Sequence, residues 1–292
     1  MNFQLHRADS PENAVALMTA LGPQAMYLAG GTDLIIQMRR GLRQAAHVVD
    51  LSALDSMRTI RQSSGGLQLG SLCTHKCLEQ SASVGLMFPS LASAATVVGG
   101  HQIRNLGTVG GNLANASPAA DVGTVLLALD AQVHLLGEAG RRCIDIDDFY
   151  VSPGRTCLSA GELIEAVELP LPGPLAADAF IKVGRRKSME ISVVCVAVAV
   201  RLDASGRVAK VRIALGSVGP RPLRARAAEA TLEGQHPSPA LERVAANAAM
   251  SECAPRTDVR ASDDYRRRLV GVSVSKALQQ CRQRLQVAAG TT

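Results

Sequence analysis

The chain has 292 residues, of which 47% are hydrophobic and 19% charged, with a formal net charge of +6 and a pI near 9.1. That length exceeds one ordinary core and predicts two or three packed subdomains, and the apolar fraction excludes a disordered chain. With no Trp, three Tyr and four Phe, the chain lacks the stacking platform of a single-strand nucleic-acid binder, and its core falls to Leu, Val, Ile and Ala.

Pro11-Glu12 opens a predicted helix over 11–21, with Ala14, Leu17, Met18 and Leu21 on one face and a stop at Gly22-Pro23. Tyr27-Leu28-Ala29 reads as a strand entering Gly30-Gly31-Thr32-Asp33. A helix from Leu34 to Arg40 and a strand from His47 to Leu51 follow. Two strands between Met57 and Leu69 flank a turn at Ser63-Ser64-Gly65-Gly66. Thr74 caps a helix through Gln80, and Pro89–Val98 forms another that ends at Gly99-Gly100. Residues 102–121 read as a polar, glycine-rich loop, Val122–Leu129 as a helix, and 132–136, 142–146 and 163–169 as strands. Pro170, Pro172, Gly173 and Pro174 suit neither helix nor sheet interior and mark a linker. Beyond it, 193–202 and 208–215 form a hairpin through Asp203-Ala204-Ser205-Gly206, and Ser262-Asp263-Asp264 opens a long helix carrying Leu269, Val270 and Leu278.

Two stretches have the chemistry to hold a diphosphate. Gly30-Gly31-Thr32 stands between a strand and a helix start, where backbone N–H groups converge and only Gly permits close approach. Asn105-Leu106-Gly107-Thr108-Val109-Gly110-Gly111-Asn112 adds three glycines, a hydroxyl and amides, and continues through Asn115 and Ser117-Pro118 to Asp121. Neither fits G-x-G-x-x-G or G-x-x-x-x-G-K-[ST]. The pattern points to a dinucleotide gripped by two separate loops, and a single pair of glycines alone would be an ordinary tight turn.

Leu28–Leu34, together with Gln-Ile-Arg-Asn, Gly-Thr-Val-Gly-Gly-Asn and Ala-Ser-Pro within 102–121, resembles the two flavin loops of the FAD-binding subunits of molybdenum hydroxylases. Residues 180–191 and 254–266 resemble the C-terminal domain of the same family, so the similarity spans nearly the whole chain. The resemblance implies an α+β architecture. Residues 1–172 would form a two-subdomain FAD-binding domain of the vanillyl-alcohol oxidase (PCMH) type, with subdomains of about 1–55 and 56–172. Residues 175–286 would form an antiparallel sheet with a helical bundle. It further implies that Leu28, Ala29, Gly30, Gly31, Thr32, Asp33 and Leu34 wrap the FAD diphosphate. Thr108, Val109, Gly110, Gly111, Asn112 and Asp121 would bind the ribityl and diphosphate region, Lys182 would lie near the flavin ring, and Ile164 would contact the cofactor. Relatives with covalent flavin carry His after the paired glycines; Thr32 stands there, which implies non-covalent FAD. Val98 takes the place of an aromatic residue in eukaryotic xanthine dehydrogenases, and Glu190 stands where Asp is frequent.

The implied activity is that of an oxidoreductase subunit in a heterotrimer. A molybdopterin-binding large subunit would oxidise substrate, a [2Fe-2S] small subunit would carry electrons, and this chain would pass them to NAD, oxygen, a quinone or a carrier. No metal is expected on this chain. Cys73, His75 and Cys77 lack a completing cluster, and 121–136 contains no cysteine. His101, beside the second loop, is a candidate proton relay or a backbone-bonded histidine. Without G-x-S-x-G there is no basis for a Ser-His-Asp assignment, so no catalytic residue is assigned. The clusters Arg39-Arg40, Arg185-Arg186-Lys187 and Arg266-Arg267-Arg268 are short, so nucleic acid is not an expected partner. The longest apolar stretch, 191–200, is about half a membrane span, and seven scattered cysteines fit a reducing cytoplasm. Two other readings stand beside this one: a self-sufficient flavin oxidase or dehydrogenase, and a basic binding protein whose glycine loops are structural.

Overall fold

The computed structural model describes residues 2–63, 65–186 and 189–290. Ser64 of the predicted turn and Lys187 of the basic cluster lie outside the described residues. The first unit alternates β1 (Gln4–Arg7), α1 (Pro11–Leu21), β2 (Ala25–Leu28), α2 (Leu34–Arg39) and β3 (His47–Asp50). Its strands form a parallel sheet in the order β1-β3-β2, with Tyr27 beside Val49. Ser10 caps α1 by accepting from the Asn13 N–H, and Gly22, at φ +70°, ends it. Ala14, Val15, Val49, Leu51 and Leu54 form a small core under this sheet.

The second unit holds β4 (Ile60–Gln62), β5 (Gly66–Gly70), α3 (His75–Gln80), α4 (Ala82–Met87), α5 (Pro89–Thr96), α6 (His101–Leu106), α7 (Val109–Ala114), α8 (Asp121–Ala128), β6 (Gln132–Gly137) and β7 (Gly140–Asp145). A short α9 (Ile146–Phe149), the hairpin β8–β9 (Tyr150–Ser152, Arg155–Thr156) and β10 (Leu163–Pro170) complete it. The sheet order β4-β5-β10-β6-β7 places the late strand β10 at the centre, antiparallel to both neighbours. All eight residues of α8 are buried. Val122, Val125, Leu126 and Leu127 share one core with Leu67, Val133 and Leu169 of this sheet and with Ala197 and Ala214 of the next. Burying each large side chain of that set contributes roughly 1.5–3 kcal/mol, so α8 pins the two sheets together.

The third unit is the antiparallel sheet β11 (Ala176–Val183), β12 (Val194–Leu202), β13 (Val208–Gly216) and β14 (Leu223–Arg224), followed by α10 (Arg226–Leu232), α11 (Pro239–Glu252) and α12 (Asp263–Gly290). Val196, Val198, Val211 and Ile213 face Ala245, Ala249, Val270, Val274 and Leu278 of the helices. The α+β architecture with a C-terminal sheet and helical bundle is as expected. One local expectation differs: 102–121 is not a loop, because α6 and α7 occupy much of it. Glycine is a poor helix former, yet Val109 and Gly110 donate their N–H groups to the carbonyls of Cys73 (2.9 Å) and Ser71 (2.7 Å), and Thr108 caps Gly111 at 3.0 Å. Tertiary hydrogen bonds override propensity here.

Candidate functional site

A cleft of about 410 Å³ opens between the first two units. One wall is the turn from β2 into α2, Gly30 to Leu34; the other is Gly107, Thr108, Gly111 and Asn112, where α6 meets α7. Gly31, at φ +69°, turns the chain into α2, a conformation that an L side chain resists. The N–H groups of Gly30, Gly31, Thr32 and Asp33 donate to no acceptor among the described residues. Four successive unpaired donors at a helix start form a concave anion seat.

Gly30 has a different task from Gly31. A Cβ placed on it would lie 1.8 Å from the carbonyl oxygen of Leu106, so the glycine lets the first turn touch the backbone of the second. Gly110 is similar: its Cβ would meet the Ser71 Cβ at 2.7 Å. Both glycines bring protein against protein. The second wall therefore offers side chains and not an array of free N–H groups, since those of Val109, Gly110 and Gly111 are already used.

Of the residues expected from sequence, Gly30, Gly31, Thr32, Asp33, Leu34, Thr108, Gly111 and Asn112 line the cleft together. Leu28 and Ala29 lead into the turn. Val109, Gly110 and Ile164 are not in the lining; Val109 and Ile164 belong to the central core. Asp121 and Lys182 are also outside the lining and pair with each other at 2.6 Å. Ser192 donates to the second Asp121 oxygen, and the Lys182 ammonium donates to the Val97 carbonyl at 2.9 Å. Burial pushes the Asp121 carboxyl upward, while Lys182 and Ser192 pull it down. Through Val97 this pair braces Val98, which does line the cleft.

Several lining residues were missed in the sequence. Arg43, past the end of α2, adds a cation to the cleft lining. Asn115, already part of the second glycine-rich stretch in the sequence, donates to Asp33 at 3.2 Å and accepts from Gln37 at 3.1 Å, tying the two walls together. His75 begins α3 and is 3% exposed. Burial, reinforced by the Arg104 guanidinium, pushes its imidazole down to about 4 from 6.5. Cys73, His75 and Cys77, discounted as a metal site from their sequence, have other surroundings: Cys73 donates to the backbone carbonyls of Arg58 and Thr59, and His75 faces the cleft. No group of three such ligands converges among the described residues. His101 accepts at its Nδ1 from the Arg104 guanidinium at 3.1 Å and is not in the lining.

Two buried polar atoms in the cleft walls lack any partner among the described residues: His75 Nδ1 and Asn112 Oδ1. Orphans of this kind are rare in a finished interior. Asn112 Oδ1, the four free N–H groups and Arg43 together fit a large ligand with an anionic centre and hydroxyl groups that can donate to that oxygen. Met18, Tyr27, Val98, Ile103 and Leu158 supply apolar surface for its rings. A second groove of about 430 Å³, near Pro170–Gly173, has its acids Asp130 and Asp178 already paired by Lys210, Arg212 and Arg284. No helix among the described residues is long and apolar enough to cross a membrane.

Fold and cleft thus have the chemistry of a dinucleotide-binding protein, with an open cleft between the first two units. Residues 1–172 match the FAD binding domain in molybdopterin dehydrogenase, and residues 179–281 match the CO dehydrogenase flavoprotein C-terminal domain. The xanthine dehydrogenase FAD-binding subunit of Escherichia coli O157:H7 is 32% identical over 94% of each chain. The carbon monoxide dehydrogenase medium chain of Hydrogenophaga pseudoflava is 31% identical over 94% of this chain and 96% of that one. Carbon monoxide dehydrogenase from Hydrogenophaga pseudoflava, solved without the Mo-pyranopterin moiety of its molybdenum cofactor, superposes with a TM-score of 0.93 at 32% identity, covering 97% of this chain and 98% of that one. Quinoline 2-oxidoreductase from Pseudomonas putida 86 gives 0.90 at 28% identity, covering 99% and 98%. The chain belongs to the family of FAD-binding medium subunits of xanthine dehydrogenase- and carbon monoxide dehydrogenase-type oxidoreductases.

Proposed function

We propose that this chain holds FAD non-covalently in the cleft and is the electron outlet of a three-subunit molybdenum hydroxylase. In this reading a [2Fe-2S] small subunit supplies electrons taken from substrate by a molybdopterin-binding large subunit. The acceptor is external: NAD, oxygen, a quinone or a carrier. The observation that carries the reading is the run of four unpaired N–H groups from Gly30 to Asp33, in a cleft that Arg43 also lines. These seat the diphosphate, while Thr108, Gly111 and Asn112 face the ribityl chain and Val98 flanks the flavin. When bound, FAD supplies the one- and two-electron chemistry. The protein's part is binding, orientation and exclusion of water.

Asp121 and Lys182 act from behind the wall by fixing Val97 and by placing a buried cation near the ring. The domain division proposed is 1–172, with subdomains near 1–55 and 56–172, and 175–286. Seven unpaired thiols favour a reducing compartment such as the cytoplasm. The test is purification of the chain alone and with its partner subunits. The single chain should be yellow, or take up FAD stoichiometrically, without oxidising substrate; the assembly should oxidise substrate and contain molybdenum and iron. Substrate turnover by the single chain would favour a self-sufficient oxidase, and colourless protein that ignores added FAD would reject the cofactor.

A further inference from the structure

His75 is a buried histidine whose ring nitrogens have no hydrogen-bond partner among the described residues. Its backbone N–H donates to the Gly107 carbonyl at 2.9 Å, and the imidazole Cδ2 would stand 3.2 Å from a Cβ on Gly107, so the ring is clamped where the two walls meet. The Thr32 Oγ1 is 3.5 Å from that same point, which places His75 beside the anion seat. Nδ1 is sealed from solvent and unpaired; Nε2 is the nitrogen left to the cleft that the residue lines. A proton on Nδ1 would be a donor with nothing to receive it in a dry pocket. A bare lone pair there is the lesser cost, so the proton belongs on Nε2.

We propose that His75 is a positioning residue for the cofactor: as a neutral imidazole protonated on Nε2, it donates a hydrogen bond to a phosphate oxygen seated by Gly30–Asp33. This rests on the FAD reading above. Burial, with the Arg104 guanidinium as the second cause, keeps the free ring neutral. Arg104, from α6, opposes its protonation and is itself held by Glu79 at 2.9 Å; Lys76 also pairs with Glu79 on the helix that carries His75. Asp33, across the cleft, is pushed upward by burial. A bound phosphate would attract a proton to the ring, so wild-type affinity for FAD should rise, relative to a variant with Gln at this position, as pH falls below neutrality.

The test uses the full chain stripped of flavin and titrated with FAD by fluorescence quenching. His75→Gln keeps an N–H near the Nε2 position and should bind within about threefold of wild type at neutral pH, whereas His75→Leu should bind about 10–30-fold more weakly, the scale of one charge-assisted hydrogen bond. ADP, which carries the diphosphate, should show the same loss in His75→Leu; riboflavin, which lacks it, should not. Nitrogen NMR of labelled histidine in the free protein should find the Nε2–H tautomer, which tests the assignment even if the Leu variant fails to fold. Unchanged FAD affinity in His75→Leu, an Nδ1–H tautomer, or an equal loss for riboflavin would each overturn the proposal while leaving FAD binding intact. Failure of wild-type protein to bind FAD would overturn the cofactor reading, and this inference with it.

Discussion

Replacing Gly30 with Ala tests whether the site depends on contact between its two walls. The added methyl would sit 1.8 Å from the Leu106 carbonyl oxygen, roughly 1.5 Å inside an ordinary carbon contact. Both sides of that collision are backbone, so no side chain can swing away to relieve it. Forcing such a contact apart costs about 1–3 kcal/mol, which lowers the melting temperature by about 2–10 °C for a domain of this size. A displaced turn that loses a charge-assisted hydrogen bond to the diphosphate should also lower FAD affinity by about 10-fold or more. Gly31→Ala is the control: its φ of +69° makes Ala strained, but the nearest atoms are the flexible ends of Ile35 and Leu28 at 3.2 Å. That variant should lose about 1–2 kcal/mol and keep the walls in place. Thermal unfolding and FAD titration of flavin-free protein measure both quantities. If Gly30→Ala melts and binds like wild type, the two walls do not need this approach.

Three further outcomes follow from the geometry. His75 titrates near 4 when folded instead of 6.5; below 6.5 the unfolded chain takes a proton that the folded one refuses. Flavin-free protein should therefore lose up to about 3 kcal/mol as pH falls from 6.5 to 4, and His75→Gln should flatten that slope in urea unfolding. An identical pH dependence in the Gln variant would mean the ring is not held neutral. Lys182→Met leaves the Asp121 carboxylate buried beside Ser192 without its cation and should cost about 3–5 kcal/mol; a loss under about 1 kcal/mol in denaturant unfolding would show that the pair is not buried as described. Gly110→Ala pushes against Ser71, at 2.7 Å, outside the cleft. It should destabilise the fold by about 1–3 kcal/mol while the folded fraction binds FAD within a few-fold of wild type, and a selective loss of FAD without loss of stability would contradict that placement.

Local signals made much of the architecture legible. Pro11 and Gly22 mark the ends of α1, Thr74 caps α3, and Ser262-Asp263-Asp264 opens α12. These are encoded within a turn of where they act. Helices α6 and α7 were not legible, because Gly107, Gly110 and Gly111 disfavour helix and the compensating acceptors at Cys73 and Ser71 are over thirty residues away in the chain. His75 was hidden for the same reason. Its place between Cys73 and Cys77 points only to a metal spacing that the sequence does not complete, while the feature that matters, the bridge between Thr74 and Thr108, is a tertiary pairing. Arg43 lies among dispersed basic residues that composition cannot rank, and only the fold past the end of α2 brings it to the cleft lining.

The glycines show what a sequence motif leaves open about the cleft it helps to build. Sequence supplies the absence of a Cβ, but does not say whether ligand or protein fills the space it leaves. At Gly30 and Gly110 protein fills it, through Leu106 and Ser71; at Gly31 the missing Cβ permits the positive φ that turns four N–H groups outward. The two glycine-rich segments are therefore unequal. The first leaves its backbone donors free, which in the proposed reading face an anion, and the second spends its donors on the fold and offers Thr108, Asn112 and the adjoining His75. A diphosphate held by backbone on one side leaves side chains to discriminate the rest of the ligand. Substitutions in the second wall should alter which dinucleotide is preferred more readily than whether one is bound.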